Sequence, residues 1–213
     1  MPSPRRNDAS LRPARKRAII DCAQSLIGQI GYDRMTITDV AERFGFSKSY
    51  VYKFFDSKRD VGDAVVARIL SGISDAATER AERAAVGPDR LRTFVVECCF
   101  LYERAALGNR YVAELLAQSF REGWRASADH DAWLAHSART LVVDGRVAGQ
   151  FDRQSSPERV AAATRLLLVG FRPPARLRPD RQNLVQDVEL AADLVVSCAV
   201  GKALDPRDCS PTL

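Results

Sequence analysis

The sequence predicts an all-α protein of about nine helices, in which a small N-terminal domain is followed by a larger helical domain. Three observations favour this class. Apolar residues recur three and four positions apart along most of the 213-residue chain, which is the spacing of one helix face. No segment keeps the alternating pattern of a half-buried strand. Gly87-Pro88 and the prolines at 173, 174 and 179 interrupt the periodic segments.

The composition is that of an ordinary globular protein, with 46% hydrophobic and 28% charged residues. Asp193 breaks the longest apolar run, so we expect no membrane span. The basic N-terminus is not followed by the apolar stretch of a secretory signal, and we expect a cytoplasmic protein. The five cysteines show no paired spacing, which favours a reducing compartment over a disulfide framework.

The N-terminal segment divides into an arm and a first helix. Residues 1–12 carry two prolines and several arginines without apolar periodicity, so we expect a mobile basic arm. From Pro13 the pattern turns helical, and Gly31 is a natural C-terminal stop. The apolar face of this helix contains Ile19, Ala23, Leu26, Ile27 and Ile30.

The next two helices have the spacing of a helix-turn-helix. Thr36 followed by Asp39 is a capping-box pattern, and it predicts a second helix of about two turns that Gly45 ends. Ser47 can cap a third helix, which should run to about Phe54. In such a motif the second helix enters the major groove of DNA while the first crosses the backbone. We therefore assign residues 13–61 to a DNA-binding domain.

The rest of the chain is expected to form a second domain over residues 62–205, followed by a tail at 206–213. Helix four begins at Ser57 with another capping box, and helix five follows Gly87-Pro88 and ends at Gly108. The arginines from 172 to 181 flank prolines and are expected in a solvated linker. The remaining predicted helices lie near 110–127, at 130–144, from Ser156-Pro157-Glu158 to about Gly170, and over about 181–200.

The third helix is too polar to be buried and unusually aromatic. Val51 and Phe55 fall on its inner side, and Tyr50 lies between the two faces, toward the groove. The outer side offers two cations, a hydroxyl and a phenol, which suit phosphate oxygens and base edges. These exposed residues are Lys48, Ser49, Tyr52 and Lys53. The alternative is that Tyr50 and Tyr52 are half-buried packing residues and that the lysines are only solvated.

Charge supports a polyanion as partner. Residues 1–60 contain 12 Lys and Arg against 7 Asp and Glu, and this surplus equals the net charge of +5 of the whole chain. Such an asymmetry favours nucleic-acid binding by the N-terminal domain, although a basic face can also be solvated without a partner.

Residues 17–61 resemble the DNA-binding domain of the TetR family of bacterial transcriptional regulators. The motif positions that match are Gly31-Tyr32, Thr36, Val40-Ala41, Gly45, Ser47-Lys48, Tyr52, Phe55 and Ser57-Lys58. The resemblance implies that Thr36, Tyr52 and Lys58 hold phosphates, while Lys48, Ser49 and Tyr50 lie near base edges; we add Ser47 and Lys53 to this surface. The family often has a small residue at 49, threonine at 50 and histidine at 54. Ser49, Tyr50 and Phe54 therefore imply different base contacts and one missing phosphate contact.

The same resemblance implies a C-terminal domain that dimerises and binds a small effector. Helices eight and nine would pair with their copies in a second subunit, so that a homodimer reads a palindromic operator in double-stranded DNA. Small residues would allow close approach there, or else form an internal core face: Ala161, Ala162, Ala163, Gly170, Ala191 and Ala192. An apolar or aromatic effector would meet residues that could equally be plain core: Phe94, Cys98, Tyr102, Phe120, Trp124 and Trp133.

We expect neither a metal site nor a cofactor. His130 and His136 are six residues apart, which does not stack them on a helix, and no cysteine pair has metal-ligand spacing. Cys98-Cys99 would sense oxidants only if exposed, and otherwise belongs to the core. The leading hypothesis is a ligand-responsive repressor rather than an enzyme. The alternatives are a helical enzyme tethered by its basic segment and a sequence-indifferent DNA-packaging protein.

Overall fold

A computed structural model of the chain describes residues 5–173, apart from 153 and 155, and residues 183–200; side chains are described from residue 11 onward. Within these ranges the chain forms nine helices and no strand, so the predicted all-α class is confirmed. The helices are α1 (Arg5–Ile30), α2 (Ile37–Phe44), α3 (Lys48–Val51), α4 (Lys58–Glu82), α5 (Pro88–Gly108), α6 (Arg110–Arg121), α7 (Arg125–Val147), α8 (Pro157–Val169) and α9 (Leu184–Val200).

The first helix starts earlier than predicted. α1 begins at Arg5 and contains Pro13, so the irregular structure expected up to residue 12 is wrong for residues 5–12. Proline removes one hydrogen bond from a helix interior. Contacts with the segment after α3 nevertheless stabilise the helix next to Pro13. The Arg12 guanidinium donates to the Lys53 carbonyl at 3.0 Å and lies over the Phe54 ring. Residues 1–4 lie outside the described residues.

Helix starts were predicted well where a side chain caps them. Thr36 Oγ1 accepts from Asp39 N–H at 3.1 Å, and Thr36 N–H donates to the Asp39 carboxylate at 2.8 Å, which completes the predicted capping box. Ser57 and Ser156 cap α4 and α8, each hydroxyl accepting a backbone N–H of the first turn. α5 begins at Pro88 directly after Gly87, as expected.

The third helix is shorter than predicted. α3 covers four residues, and the chain then tightens, with Phe54 N–H donating to the Val51 carbonyl three residues back at 3.0 Å. Ser47 precedes α3 without capping it; its hydroxyl instead lies 2.9 Å from the Ser49 hydroxyl. The predicted cap is therefore absent, and the helix ends before Phe54.

The break between α6 and α7 was predicted too late in the sequence. α6 ends at Arg121, and Gly123 has a φ of 60°, a left-handed value that suits glycine. Ser127 does not cap a helix; it lies within α7, buried, and its hydroxyl donates to Ser119 at 2.8 Å. The predicted helices at 110–127 and 130–144 are therefore wrong at their shared boundary. Within the described residues the last helix begins at Leu184, and the predicted start at residue 181 lies outside them.

The nine helices share one continuous apolar core that runs from Ile19 to Ala199. α1, α2 and α3 pack on one another at one end of the molecule; we call them, with the first turn of α4, the reading head. α5 to α9 pack together at the other end, with α7 on α8 and α5 on α9. α4 contacts both groups, because it packs against α1, α5, α6 and α7. It therefore positions the head on the body.

Candidate nucleic-acid interface

The turn between α2 and α3 has the geometry of a helix-turn-helix. Gly45 ends α2 with a φ of 73°, and its N–H donates to the last carbonyls of that helix. Phe46 N–H donates to the Ala41 carbonyl at 2.9 Å, so the chain reverses within two residues. Ser47 is extended and leads directly into α3. The sequence permits this tight turn because glycine adopts the left-handed conformation at no steric cost.

The outward side of α3 is polar and exposed, as predicted. Val51 and Phe55 are buried in the core, which fixes how α3 is rotated. The exposed side chains are then Ser47, Lys48, Ser49, Tyr52 and Lys53. Tyr52 is 42% exposed, and the Lys48 ammonium lies 6.0 Å from the centre of its ring. This surface offers hydroxyl and ammonium donors side by side, which suits phosphate oxygens and base edges.

Tyr50 is turned away from the position expected for it. Its ring stacks on Phe46, with centroids 4.3 Å apart and planes 13° apart, and also contacts Phe54. The hydroxyl oxygen is buried, without a hydrogen-bond partner in the described part of the chain. The alternative that both tyrosines are half-buried packing residues is therefore correct for Tyr50 and wrong for Tyr52. Sequence reasoning missed Phe46, which remains 41% exposed beside Ser47.

Thr36 and Lys58 lie at the start of α2 and α4, where backbone amides favour anions. The Thr36 oxygen accepts a bond within the capping box, so its hydroxyl hydrogen remains able to donate to a phosphate. The Lys58 ammonium donates to the Asp33 carbonyl at 2.9 Å and lies 4.7 Å from the centre of the Tyr32 ring. An ammonium has three donors, so this bond is compatible with a further contact to phosphate.

Trp124 belongs to the contact between the head and the body rather than to an effector site. Its ring meets Tyr32 edge to face at 5.4 Å, and its Nε1 donates to Glu122 at 2.8 Å. Both rings pack on Gly62 of α4, where a Cβ atom would lie 2.6 Å from the Tyr32 ring. A second contact between the two parts is the Asn109 side-chain amide, which donates to the Gly28 carbonyl at 2.9 Å.

The other five candidate effector residues lie together in the body, most of them around His130. The His130 ring stacks on Trp133 at 5.1 Å and meets Phe120 edge to face at 6.5 Å. Its Nε2 lies 2.5 Å from the Tyr102 hydroxyl, and its Nδ1 lies 3.2 Å from the Ser74 hydroxyl. Phe94 and Cys98, on the same side of α5 as Tyr102, complete the group; Phe94 packs on Trp133 at 5.5 Å. We call these residues the His130 cluster.

Charge at the edge of the His130 cluster comes from Arg172, which the sequence had suggested to be solvated. Its side chain is only 9% exposed, forms an ion pair with Asp131 and lies 4.4 Å from the centre of the Phe120 ring. Burial, and then the charge of Arg172, lowers the pKa of His130 to about 3, so the imidazole is neutral near pH 7. Burial raises the pKa of the Tyr102 phenol above its usual range.

One cavity borders this cluster. It has a volume of about 190 Å³, lies between α4, α5 and α7, and includes Phe94 and Leu141 in its lining. Pockets for drug-sized ligands usually measure about 300–1,000 Å³, so this space holds a large effector only if the helices move apart.

The cysteines and histidines form no site of their own in the described residues. Cys98 and Cys99 are fully buried, and burial raises the pKa of the Cys98 thiol well above its usual range. Such a thiol is a poor nucleophile, which favours the core interpretation. No group of three or more potential metal ligands occurs in the part of the chain that the structure describes. None of the described helices has both the length and the apolar character needed to span a membrane.

A basic helix-turn-helix on a larger helical body defines a class of protein: the DNA-binding transcriptional regulators with a separate helical second domain. Residues 19–65 match the sequence profile of the bacterial regulatory proteins of the tetR family. This match covers the N-terminal domain, which therefore has the sequence of a TetR-family DNA-binding domain. The resemblance noted in residues 17–61 is thereby confirmed.

Similar proteins agree with this assignment. The HTH-type transcriptional regulator BetI of Rhizobium meliloti (strain 1021) is 26% identical over 85 residues, and the alignment covers 40% of this chain and 42% of BetI. A TetR/AcrR-family regulator from Thermobifida fusca YX-ER1 has a TM-score of 0.59 at 22% identity, over 86% of this chain and 97% of its own. The multidrug efflux pump repressor SmeT of Stenotrophomonas maltophilia has a TM-score of 0.60 at 16% identity, and the alignment covers 90% of this chain and 96% of SmeT.

A third structure of the same fold contains a ligand. The transcriptional regulator FadR from Bacillus subtilis, solved in complex with stearoyl-CoA, has a TM-score of 0.62 at 15% identity, over 85% of this chain and 98% of its own. At these identities the three structures show a shared fold over the aligned 85–90% of this chain. The named proteins are regulators of transcription rather than enzymes.

Proposed function

We propose that the protein is a dimeric repressor in the cytoplasm that binds a palindromic operator and is released by a small apolar or aromatic effector. The observation that carries the proposal is the exposed donor surface of α3, flanked by the N-termini of α2 and α4. Lys48 and Ser49 would contact base edges, and Tyr52 would contact a phosphate. Thr36 and Lys58 would bind phosphates on either side, with Ser47 and Lys53 completing the surface. Tyr50 would contribute ring carbons unless its phenol leaves the stack with Phe46.

The DNA contacts can be tested by equilibrium binding. A duplex is first selected from a random pool by the purified protein, and its affinity is then measured by fluorescence anisotropy from 50 to 200 mM salt. Lys48→Ala and Lys58→Ala should weaken binding, and Lys58→Ala should flatten the slope of log K against log salt by about 0.9. Arg83→Ala is the matched control, because this exposed arginine pairs with Glu79 at the far end of α4.

Two results would contradict this assignment. The first is unchanged affinity in both lysine variants. The second is equal affinity for the selected duplex and for random duplex, which would favour the DNA-packaging alternative.

The outward faces of α8 and α9 support a homodimer. Four large apolar side chains stand exposed on these two helices: Leu166, Val169, Val185 and Leu190 at 66%, 53%, 54% and 49%. Exposed apolar patches on a soluble domain often mark an interface, and a palindrome requires a two-fold reader. The predicted small residues divide between two roles. Ala161, Ala191 and Ala192 are buried within the subunit, as the core alternative proposed. Ala162 and Gly170 are exposed and Ala163 is half-buried, and these three remain proposed contacts.

The dimer can be tested by light scattering after size-exclusion chromatography. Leu166→Glu should yield a monomer, because it places a charge in the proposed apolar interface. Leu107→Glu is the control, since this leucine is also exposed, at 55%, but lies at the end of α5. A wild-type protein that elutes as a monomer at micromolar concentration would contradict the proposed homodimer.

The His130 cluster is the site we propose for the effector. It combines an apolar and aromatic lining with a neutral imidazole and a phenol that can orient a ligand through hydrogen bonds. FadR, which has the same fold, was solved with stearoyl-CoA, which supports a small-molecule effector for this chain as well. The effector would favour one of two dimer geometries, in which the spacing of the reading heads no longer fits the operator.

A thermal-shift screen of small apolar and aromatic compounds tests this site. A binder present at 100 times its dissociation constant stabilises the folded state by about 2.7 kcal/mol. Trp133→Leu should weaken the shift, whereas Phe46→Leu in the reading head should leave it unchanged. A compound that shifts both variants as much as the wild type must bind elsewhere.

A further inference from the structure

Three cations of α1 lie over three aromatic rings of the segment that contains α3. Arg12 Cζ is 5.3 Å from the centre of the Phe54 ring, and Arg15 Cζ is 5.9 Å from that of Tyr50. Lys16 Nζ is 5.3 Å from the centre of the Phe55 ring. We call Arg12, Arg15 and Lys16 the α1 basic edge. It lies outside the helix-turn-helix, and none of its residues is among the DNA contacts predicted from the sequence.

The arrangement follows from helix geometry. Positions 12, 15 and 16 are separated by three and four residues, so they share one face of α1. This requires α1 to be helical on both sides of Pro13, as the structure shows. A cation over an aromatic face gains roughly 0.5–1 kcal/mol at an exposed site, so the rings restrict where each charge can lie. Arg12 is further fixed by its bond to the Lys53 carbonyl.

Arg12 lies on the residue that departs from the family pattern. The resemblance expects a phosphate-binding histidine at position 54, where this chain has Phe54, which can donate no hydrogen bond. The Arg12 guanidinium rests on that ring and is itself exposed. A guanidinium has five N–H donors, and the bond to Lys53 uses only one nitrogen. The hydrogen-bond donor absent from the side chain of residue 54 is thus replaced by the Arg12 guanidinium of α1.

We propose that the α1 basic edge is a second phosphate-binding surface, which contacts the DNA backbone beside the half-site that α3 reads, with Arg12 as its principal contact. The inference rests on the proposed DNA-binding function. From Arg12 to Lys16 α1 rises about 6 Å, which is close to the axial span of two successive phosphate steps on one strand, about 6.8 Å. The edge can therefore follow one strand without a change in the fold.

The competing role is structural. The same contacts would exist if the cations only fixed α1 against the segment after α3. The two roles differ in their dependence on salt, because neutralising a phosphate releases counterions and internal packing does not. They also differ in chemistry: a lysine at position 12 keeps the charge needed by a phosphate, whereas glutamine keeps a polar chain of similar length without the charge.

The test is the anisotropy titration on the selected duplex, applied to Arg12→Ala, Arg12→Gln and Arg12→Lys. Alanine and glutamine should each reduce the salt slope by about 0.9, and lysine should restore it. Between 50 and 200 mM salt, the loss of affinity should then be about 3.5-fold smaller in the alanine and glutamine variants than in the wild type. Arg17→Ala is the matched control, since Arg17 is exposed on α1 but lies off the shared face.

Two outcomes would overturn the inference while leaving the proposed function intact. One is an unchanged salt slope in Arg12→Ala on a duplex whose affinity Lys48→Ala still lowers. The other is an equal reduction of the salt slope in Arg17→Ala. That result would indicate a general electrostatic attraction of α1 for DNA rather than a contact between Arg12 and a phosphate. A wild-type protein that binds no duplex would instead refute the proposed function itself. Melting curves of each variant show whether the folded state is retained.

Discussion

Replacing Gly62 by alanine should destabilise the contact between the reading head and the body. Gly62 lies in the second turn of α4, beneath the rings of Tyr32 and Trp124. A Cβ atom there would lie 2.6 Å from Tyr32 Cε2 and 3.0 Å from Trp124 Cζ3. Neither ring moves easily, because Lys58 covers Tyr32 and Glu122 binds the Trp124 indole. Such overpacking costs about 1–3 kcal/mol.

A second glycine of the same helix isolates that cost. Gly72 is exposed, and a Cβ atom built on it meets no other atom within 4 Å. Gly72→Ala should therefore stabilise the protein by about 1 kcal/mol through helix propensity alone. Gly62→Ala gains the same helix propensity, but its added methyl group overpacks the contact with Tyr32 and Trp124. The free energies of unfolding of the two variants should then differ by about 2 kcal/mol, the middle of the overpacking range.

Urea denaturation followed by far-UV circular dichroism measures this difference. All variants must be compared at one protein concentration, since the stability of an oligomer depends on it. In thermal melts the same difference corresponds to about 4–8 °C for a chain of this size. The reasoning is refuted if Gly62→Ala is as stable as Gly72→Ala, because the rings would then yield without cost.

Two further predictions concern single side chains. Thr36→Ala removes the α2 cap and should cost about 1 kcal/mol of stability, whereas Thr36→Ser should keep most of it; equal melting temperatures in the two variants would contradict the role of the capping box. The folded-state pKa of His130, about 3, lies below the unfolded value of about 6.5, so the unfolded state binds the proton and stability falls as the pH drops below 6.5. Between pH 7 and 5 this residue alone should remove about 2 kcal/mol, and His130→Gln should show a correspondingly flatter stability profile in urea titrations. A profile that His130→Gln leaves unchanged would mean that the imidazole titrates normally.

The sequence predicted best those features that depend on neighbouring residues. Thr36 with Asp39 and the left-handed Gly45 define the ends of α2 through contacts within a few residues, so their pattern is readable locally. The break was predicted between residues 127 and 130 but lies at Gly123, and Ser127 instead donates a hydrogen bond to Ser119 of another helix. Because Ser119 lies eight residues before Ser127 and on the other side of a turn, this hydrogen bond leaves no periodic pattern in the sequence.

The site was predictable only in part for the same reason. The exposed face of α3 follows from the burial of Val51 and Phe55, which helical periodicity anticipates. The partners of Trp124 and Arg172 come from distant parts of the chain, and periodicity does not identify them. His130 could have been found from its spacing: with Leu134, Ala138 and Val142 it forms the buried stripe of α7, four residues apart. A histidine in such a stripe must satisfy its nitrogens internally, and here Tyr102 and Ser74 do so.

The continuity of α4 has a mechanical consequence. Its 25 residues form a rod about 37 Å long that starts at Lys58 in the reading head and ends at Glu82 in the body. A rod of that length acts as a lever arm, so a tilt of about 5° around its far end displaces Lys58 by about 3 Å, close to the 3.4 Å rise between base pairs. A tilt of a few degrees in α4 relative to the body can therefore shift the head by about one base-pair step.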